Sequence, residues 1–137
     1  QHKKINPWRW QDQFGFSQAI EAAGAQRTLY CAGQTSSDAE GRPLHAGDMA
    51  AQIRQAFDNL EAVLKAAGFE LGNVVRLNYY TTDVDAMFAA YQTVTDRLAT
   101  AGCQPASTLL GVQRLAFPEF MIESEASAGG EALRRPS

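Results

Sequence analysis

Phe120-Met121-Ile122-Glu123-Ser124-Glu125-Ala126 sets two carboxylates inside an otherwise apolar stretch near the end of the chain. Read as a strand, whose side chains alternate faces, it puts Glu123 and Glu125 on one side and Ile122, Ser124 and Ala126 on the other. The preceding run, Thr108-Leu109-Leu110-Gly111-Val112-Gln113-Arg114-Leu115, reads as a second strand able to pair with it in a final hairpin. A carboxylate on a half-buried sheet face is unfavourable unless it is paired, hydrogen-bonded or used in chemistry, so these glutamates are the first candidates for function. For Glu125 the alternative of a side chain pointing into water from a strand end stays open.

Upstream, Met49, Ile53, Phe57, Leu60 and Leu64 recur at helical spacing, and Ala56, Val63 and Ala67 widen the stripe. They predict a helix from about Asp48 to Ala67, ended by Gly68. Its outer face carries Arg54 with Asp58 and Glu61 with Lys65 at four-residue spacing, the pattern of a solvated surface. A second helix is expected after Thr82, whose hydroxyl would cap it, running through Phe88, Tyr91, Val94 and Leu98 to Gly102. Strands fill the intervals: Phe14 to Ile20 and Arg27 to Gln34 as an opening hairpin turned at Ala22 to Ala25, then Val74 to Thr81 between the helices. The order is β-β-α-β-α-β-β. In the middle strand Val75, Leu77 and Tyr79 share one face, while Val74, Arg76, Asn78 and Tyr80 share the other, so neither side reads as freely solvated. Two helices cover only one side of so small a sheet, which predicts a partner subunit on the other. A polar tail is expected over 129–137, after one domain spanning 1–128.

A chain of 137 residues and 14.9 kDa is enough for one domain with a substantial core. Its apolar runs are too short to span a membrane, and its start lacks the apolar core of a secretion signal, so a cytoplasmic protein without a membrane partner is expected. Net charge is -3, the pI is about 5.3, and basic residues are scattered apart from Lys3-Lys4 and Arg134-Arg135. A phosphate-tracking surface needs clustered Lys and Arg, which argues against nucleic acid. Cys31 and Cys103 stand outside any motif and read as packing residues. No glycine-rich phosphate loop, nucleophile elbow or zinc spacing appears, and His45 has no second ligand at a suitable distance along the chain. Neither metal nor cofactor is expected. Trp8, Trp10, Phe14 and Phe16 cluster near the start, where they wall an apolar pocket or, as is commoner, pack the terminal segment onto the sheet. In Ala32-Gly33-Gln34 the glycine either lets a backbone amide approach a ligand or permits a bulge.

Taken in order, Ala32-Gly33-Gln34, Ala56-Phe57-Asp58-Asn59-Leu60 to Ala66-Ala67-Gly68, Val74-Val75-Arg76 to Thr82-Asp83, Pro105-Ala106, Val112-Gln113-Arg114-Leu115 and Ile122-Glu123-Ser124-Glu125-Ala126 resemble the Rid/YjgF family over about residues 14–128. This family was formerly called L-PSP endoribonuclease-like. The resemblance implies a chorismate-mutase-like α+β subunit, with a mixed sheet covered on one face by two helices. It also implies a homotrimer with small-molecule pockets in the clefts between subunits. Its best-known members hydrolyse reactive enamines and imines such as 2-aminoacrylate to a keto acid and ammonia. By resemblance Glu123 corresponds to the acidic residue that positions or activates water, and Gly33 to the backbone contact beside the ligand.

The sequence departs from the family pattern at the position after Pro105-Ala106, where deaminating members carry an arginine that clamps the substrate carboxylate and this chain has Ser107. Loss of such a bidentate contact weakens carboxylate binding by on the order of 10²- to 10⁴-fold unless it is replaced. Phe16 stands where tyrosine is common, Ala32 where serine is frequent, and Leu109 where many members have cysteine. Each exchange is from polar to apolar, so the pocket is expected to prefer a larger, less charged ligand. Arg114 is a further candidate at the site, as a substitute clamp or as a structural residue. Two readings follow: a deaminase with a non-standard substrate, or a non-catalytic binding or interaction trimer of the same fold.

Overall fold

The computed structural model describes residues 2–24 and 27–131. In chain order its elements are β1 (His2–Ile5), β2 (Ala19–Ala22), β3 (Arg27–Tyr30), β4 (Gln34–Thr35), α1 (Met49–Ala66), β5 (Val74–Thr81), α2 (Val84–Ala89), α3 (Gln92–Thr100), β6 (Ala106–Gly111) and β7 (Ile122–Gly130). The main sheet has the order β3-β7-β5-β6, with β4 also on β7. It is mixed: β5 and β6 are parallel, and the pairs made by β7 are antiparallel. A parallel pair needs a crossover, which α2 and α3 supply.

The apolar stripe of α1 lies on this sheet. Asp48 starts the helix by accepting a hydrogen bond from the Ala51 N–H at 3.0 Å, and Gly68 ends it in the left-handed region at φ 80°. Ile53, Phe57, Leu60 and Leu64 are at most 1% exposed. Each such burial contributes about 1.5–3 kcal/mol. Below them β7 presents small side chains, Ser124, Ala126 and Ala128, which let the helix approach closely. Cys31 and Cys103 are both buried free thiols, and burial pushes that of Cys103 up to about 12.

Several local expectations are corrected. The two last strands are not a hairpin: β5 lies between β6 and β7, because the helical crossover returns β6 alongside β5 in parallel. Nor do the first segments form the expected hairpin. His2–Ile5 is itself a strand and takes the edge of β2, Trp10–Phe14 is a 3-10 turn, and Ser17 bridges to Ala106. The expected turn at 22–25 falls partly outside the described residues. The second helix is capped by Asp83 rather than Thr82, and a turn at Ala90–Tyr91 divides it so that Met87 and Val94, both 0% exposed, each reach the core.

A register shift between Val74 and Arg76 puts Val74, at 3% exposure, among the core residues rather than with Asn78 and Tyr80. On α1, Asp58 and Glu61 both pair with Arg97 of α3 instead of with Arg54 and Lys65, since a guanidinium between the helices reaches both carboxylates. Finally, β7 runs through Gly129 and Gly130, which pair with Thr28 and Arg27, so the expected tail begins too early; residues 132–137 lie outside the described ones.

Candidate functional site

Glu123 and Gly33 are brought together by an irregularity in the sheet edge. Tyr30 pairs with Ser127 and Gln34 with Ser124, so four steps along the edge segment span three along β7. The extra residue is a bulge at Ala32–Gly33, one of the two uses foreseen for this glycine. A Cβ on Gly33 would sit 2.0 Å from Glu123 Oε2 and 2.5 Å from its Cδ. Only glycine leaves room for the carboxylate here. Ala32 itself is exposed, and its carbonyl accepts a 3.1 Å hydrogen bond from Gln34 Nε2.

Half-buried on β7, Glu123 has no ion pair and no side-chain hydrogen bond among the described residues. Burial first, and then the charge of Glu125, hold its carboxyl above the usual glutamate value. Glu125 is tied down differently: Tyr80 Oη donates to its Oε1 at 2.8 Å. That hydrogen bond identifies Tyr80 as part of the same carboxylate cluster. The facing of the two glutamates away from the helices agrees with the strand alternation, since Ile122, Ser124 and Ala126 are each 2% exposed.

Phe16, Ser107 and Leu109 meet elsewhere, in a cleft of about 300 Å³ that they share with Trp10, Phe14, Phe88 and Tyr91. No charged side chain lines it. Ser107 Oγ donates to the Leu77 carbonyl, so the hydroxyl is used within the sheet. Trp10 stacks edge-on to Phe14 and Phe16, and Tyr91 to Phe14, at centroid separations of 5.6–6.5 Å. Trp10 therefore walls a pocket instead of packing under the sheet, and Trp8 is 59% exposed. Phe88 and Tyr91 were read only as helix-stripe residues. No sequence signal separates them from that stripe, since Phe88 stands out only by its 49% exposure in the fold.

Arg114 joins neither group. It is exposed, donates to the carbonyls of Leu115 at 3.3 Å and Ala116 at 3.5 Å, and borders a separate hollow with Thr82, Phe117 and Phe120. Structural bracing of its own loop accounts for these contacts.

Strand parity separates the cleft from the carboxylates. Ser107 and Leu109 are in register with Leu77 and Tyr79, whose side chains face the helices, whereas Glu123 is in register with Tyr80 on the open face. One chain thus carries the two groups on opposite sides of its sheet.

Residues 11–129 match the family described as Endoribonuclease L-PSP. Among curated relatives, the RutC family protein YjgH of Escherichia coli is 35% identical over 95 residues, covering 69% of this chain and 71% of that protein. The 2-iminobutanoate/2-iminopropanoate deaminase of Mus musculus is 34% identical over 70 residues, 51% of this chain and 50% of its own length. Among solved structures, the Rid family protein YyfB of Yersinia pestis, described as of unknown function, superposes with a TM-score of 0.83 at 37% identity, over 93% of this chain and 98% of that one.

Proposed function

On the premise that the chain belongs to the Rid/YjgF family, the family of the Endoribonuclease L-PSP match, we propose that it hydrolyses an enamine or imine to a carbonyl compound and ammonia, with Glu123 activating the water. The observation that carries this reading is Glu123 itself: a half-buried carboxylate without a partner among the described residues, its pKa raised, and housed against a glycine that leaves it space. Such a group serves first as base and then as acid near neutral pH. Glu123 takes a proton from water as the oxygen bonds to the imine carbon. The substrate enters as its protonated iminium, so the C=N electron pair moving to nitrogen gives a neutral carbinolamine. Glu123 then returns its proton to that nitrogen as the C–N bond breaks, and the hydroxyl proton passes to the departing ammonia as C=O forms. An enamine enters by protonation at carbon to its imine. No metal or cofactor enters the balance.

We place the working site between copies of a homotrimer. Because the cleft of Phe16, Ser107 and Leu109 and the Glu123–Gly33 pair lie on opposite faces of one sheet, a rotation that sets one copy's open face beside its neighbour's cleft unites them. We read the location as cytoplasmic; none of the described helices is long and apolar enough to cross a membrane. Nucleic acid is left out of this reading, since Arg9, Arg42 and Arg97 are each paired with acidic side chains.

The test is ammonia release from several imines in buffer, with the protein, and with Glu123→Gln. Equal rates in all three reject the proposal. Mixing Glu123→Gln with Leu109→Trp, each inactive alone, tests the shared site: random assortment restores roughly one quarter of the sites, and no recovery rejects it. The apolar cleft with its internally bonded Ser107 favours one second reading, a non-catalytic small-molecule binder. Ligand-dependent thermal shifts without ammonia release would favour that alternative.

A further inference from the structure

Resting on the deaminase reading above, we propose that the substrate is an imine bearing a planar aryl group and no carboxylate, its ring seated among Trp10, Phe14, Phe16, Phe88, Tyr91 and Leu109. The cleft, at about 300 Å³, lies at the lower end of the range for small-molecule sites and suits a single ring with a short side chain. Its walls are set by mutual ring contacts, Trp10 against Phe16 at 5.6 Å and Phe14 against Tyr91 at 6.1 Å edge-on, and Phe88 against Tyr91 at 5.9 Å with the rings tilted. Offset and edge-to-face geometries of this kind are what an inserted arene would extend. Trp10 and Phe88 remain 55% and 49% exposed, so apolar surface is left for a ligand to cover.

Charge points the same way. A carboxylate entering this cleft would meet no cation, and the one hydroxyl from the sheet, that of Ser107, is already donated to the Leu77 carbonyl. Burial pushes the Tyr91 phenol up to about 12, so it stays neutral. A carboxylate would be stripped of water without compensation, whereas the protonated C=N group that water attacks is a cation, which aromatic faces attract. The reaction is ArC(R)=NH + H2O → ArC(R)=O + NH3. The class of reaction that supplies such a substrate is therefore oxidation of an arylalkyl amine at its C–N bond, and the product is an aryl ketone or aldehyde.

The experiment uses the full chain with two imines generated in situ by amine and amino-acid oxidases, 1-phenylethanimine and 2-iminopropanoate, read as carbonyl product above the buffer rate. Acetophenone oxime serves as a stable C=N isostere, followed by quenching of Trp10 in a Trp8→Phe background. The expected result is a kcat/KM for the aryl imine about 10- to 100-fold above that for the carboxylated one. Oxime quenching should be lost in Leu109→Phe, which fills the cleft without adding a second indole, and Ser107→Arg should move the preference toward 2-iminopropanoate. Equal or better turnover of 2-iminopropanoate by the unaltered chain overturns the aryl assignment and leaves the deaminase reading standing. Oxime binding with neither imine hydrolysed sinks the deaminase reading and the substrate assignment with it. An absence of both binding and turnover overturns the cleft as an aryl-imine site.

Discussion

The two faces of the main sheet differ in what they ask of their residues. Toward the helices β5 and β7 present Leu77, Tyr79, Ile122, Ser124, Ala126 and Ala128, none more than 2% exposed. Toward the open side the same strands present Asn78, Tyr80, Glu123 and Glu125, all only half-buried. Every second residue of one strand thus builds the core, and its neighbours carry ionisable chemistry. On β7, core packing and the carboxylates are divided by parity along the strand. They should therefore respond oppositely to substitution.

The largest contrast is between Phe57 on α1 and Glu123. Phe57→Ala empties a fully buried position and should remove about 3–5 kcal/mol of stability, measured by urea unfolding, with activity per folded molecule retained. Glu123→Gln should do the reverse, reducing imine hydrolysis by about 10²- to 10⁴-fold while raising the melting temperature at neutral pH. The sign follows from linkage. Folding raises the Glu123 pKa, so its ionised form opposes folding; that penalty is absent below the ordinary glutamate value and develops as pH rises through the raised one. At pH 3 the two proteins should melt together. A Glu123→Gln protein that melts lower at pH 7 would break the contrast.

Next in size is Gly33→Ala. The added methyl would lie 2.0 Å from Glu123 Oε2, and the flexible carboxylate end gives way before the backbone does. Displacement of a reacting group by about 1 Å reduces rate on the order of 10²-fold. Stability should change little, because Gly33 is not among the residues with positive φ. Steady-state kinetics beside a thermal melt would show the two effects parting; a large loss of stability would mean that the bulge, and not the carboxylate's space, is what glycine protects.

What could be read in advance divides along similar lines. The alternation of Ile122 to Ala126 was legible because period two is local, and it placed both glutamates on the correct face. The stripe of α1, from about Asp48 to the terminator Gly68, was legible because its period is local too, while the capping role of Asp48 emerged only in the fold. Pairing was not. Nothing in Thr108–Leu115 states whether it neighbours β7 or β5, since that is decided by the crossover of α2 and α3. Gly33 was recognisable as a site of bulge or close approach, but its contact with Glu123 depends on the edge register. Likewise Phe16, Ser107 and Leu109 were named separately from departures at single positions. Their meeting with Trp10 and Tyr91 required the 3-10 turn at Trp10–Phe14 and the bridge from Ser17 to Ala106.

The smallest expected effect sharpens the open face itself. Two causes raise the Glu123 pKa, burial before the charge of Glu125, and only the second is removed by Glu125→Gln. If ionised Glu123 is the base, the acid limb of the rate profile lies above the ordinary glutamate range in the unaltered protein. Removing the neighbouring charge makes Glu123 easier to ionise, so the limb moves to lower pH, but it stays above that range because the desolvation remains. Tyr80→Phe is the control: it deletes the 2.8 Å hydrogen bond and keeps the Glu125 charge, so the limb should move less than in Glu125→Gln. A limb that stays fixed in Glu125→Gln would mean that the titrating group is not Glu123, and a limb that moves upward would mean that the carboxylates interact through a shared proton rather than by repulsion.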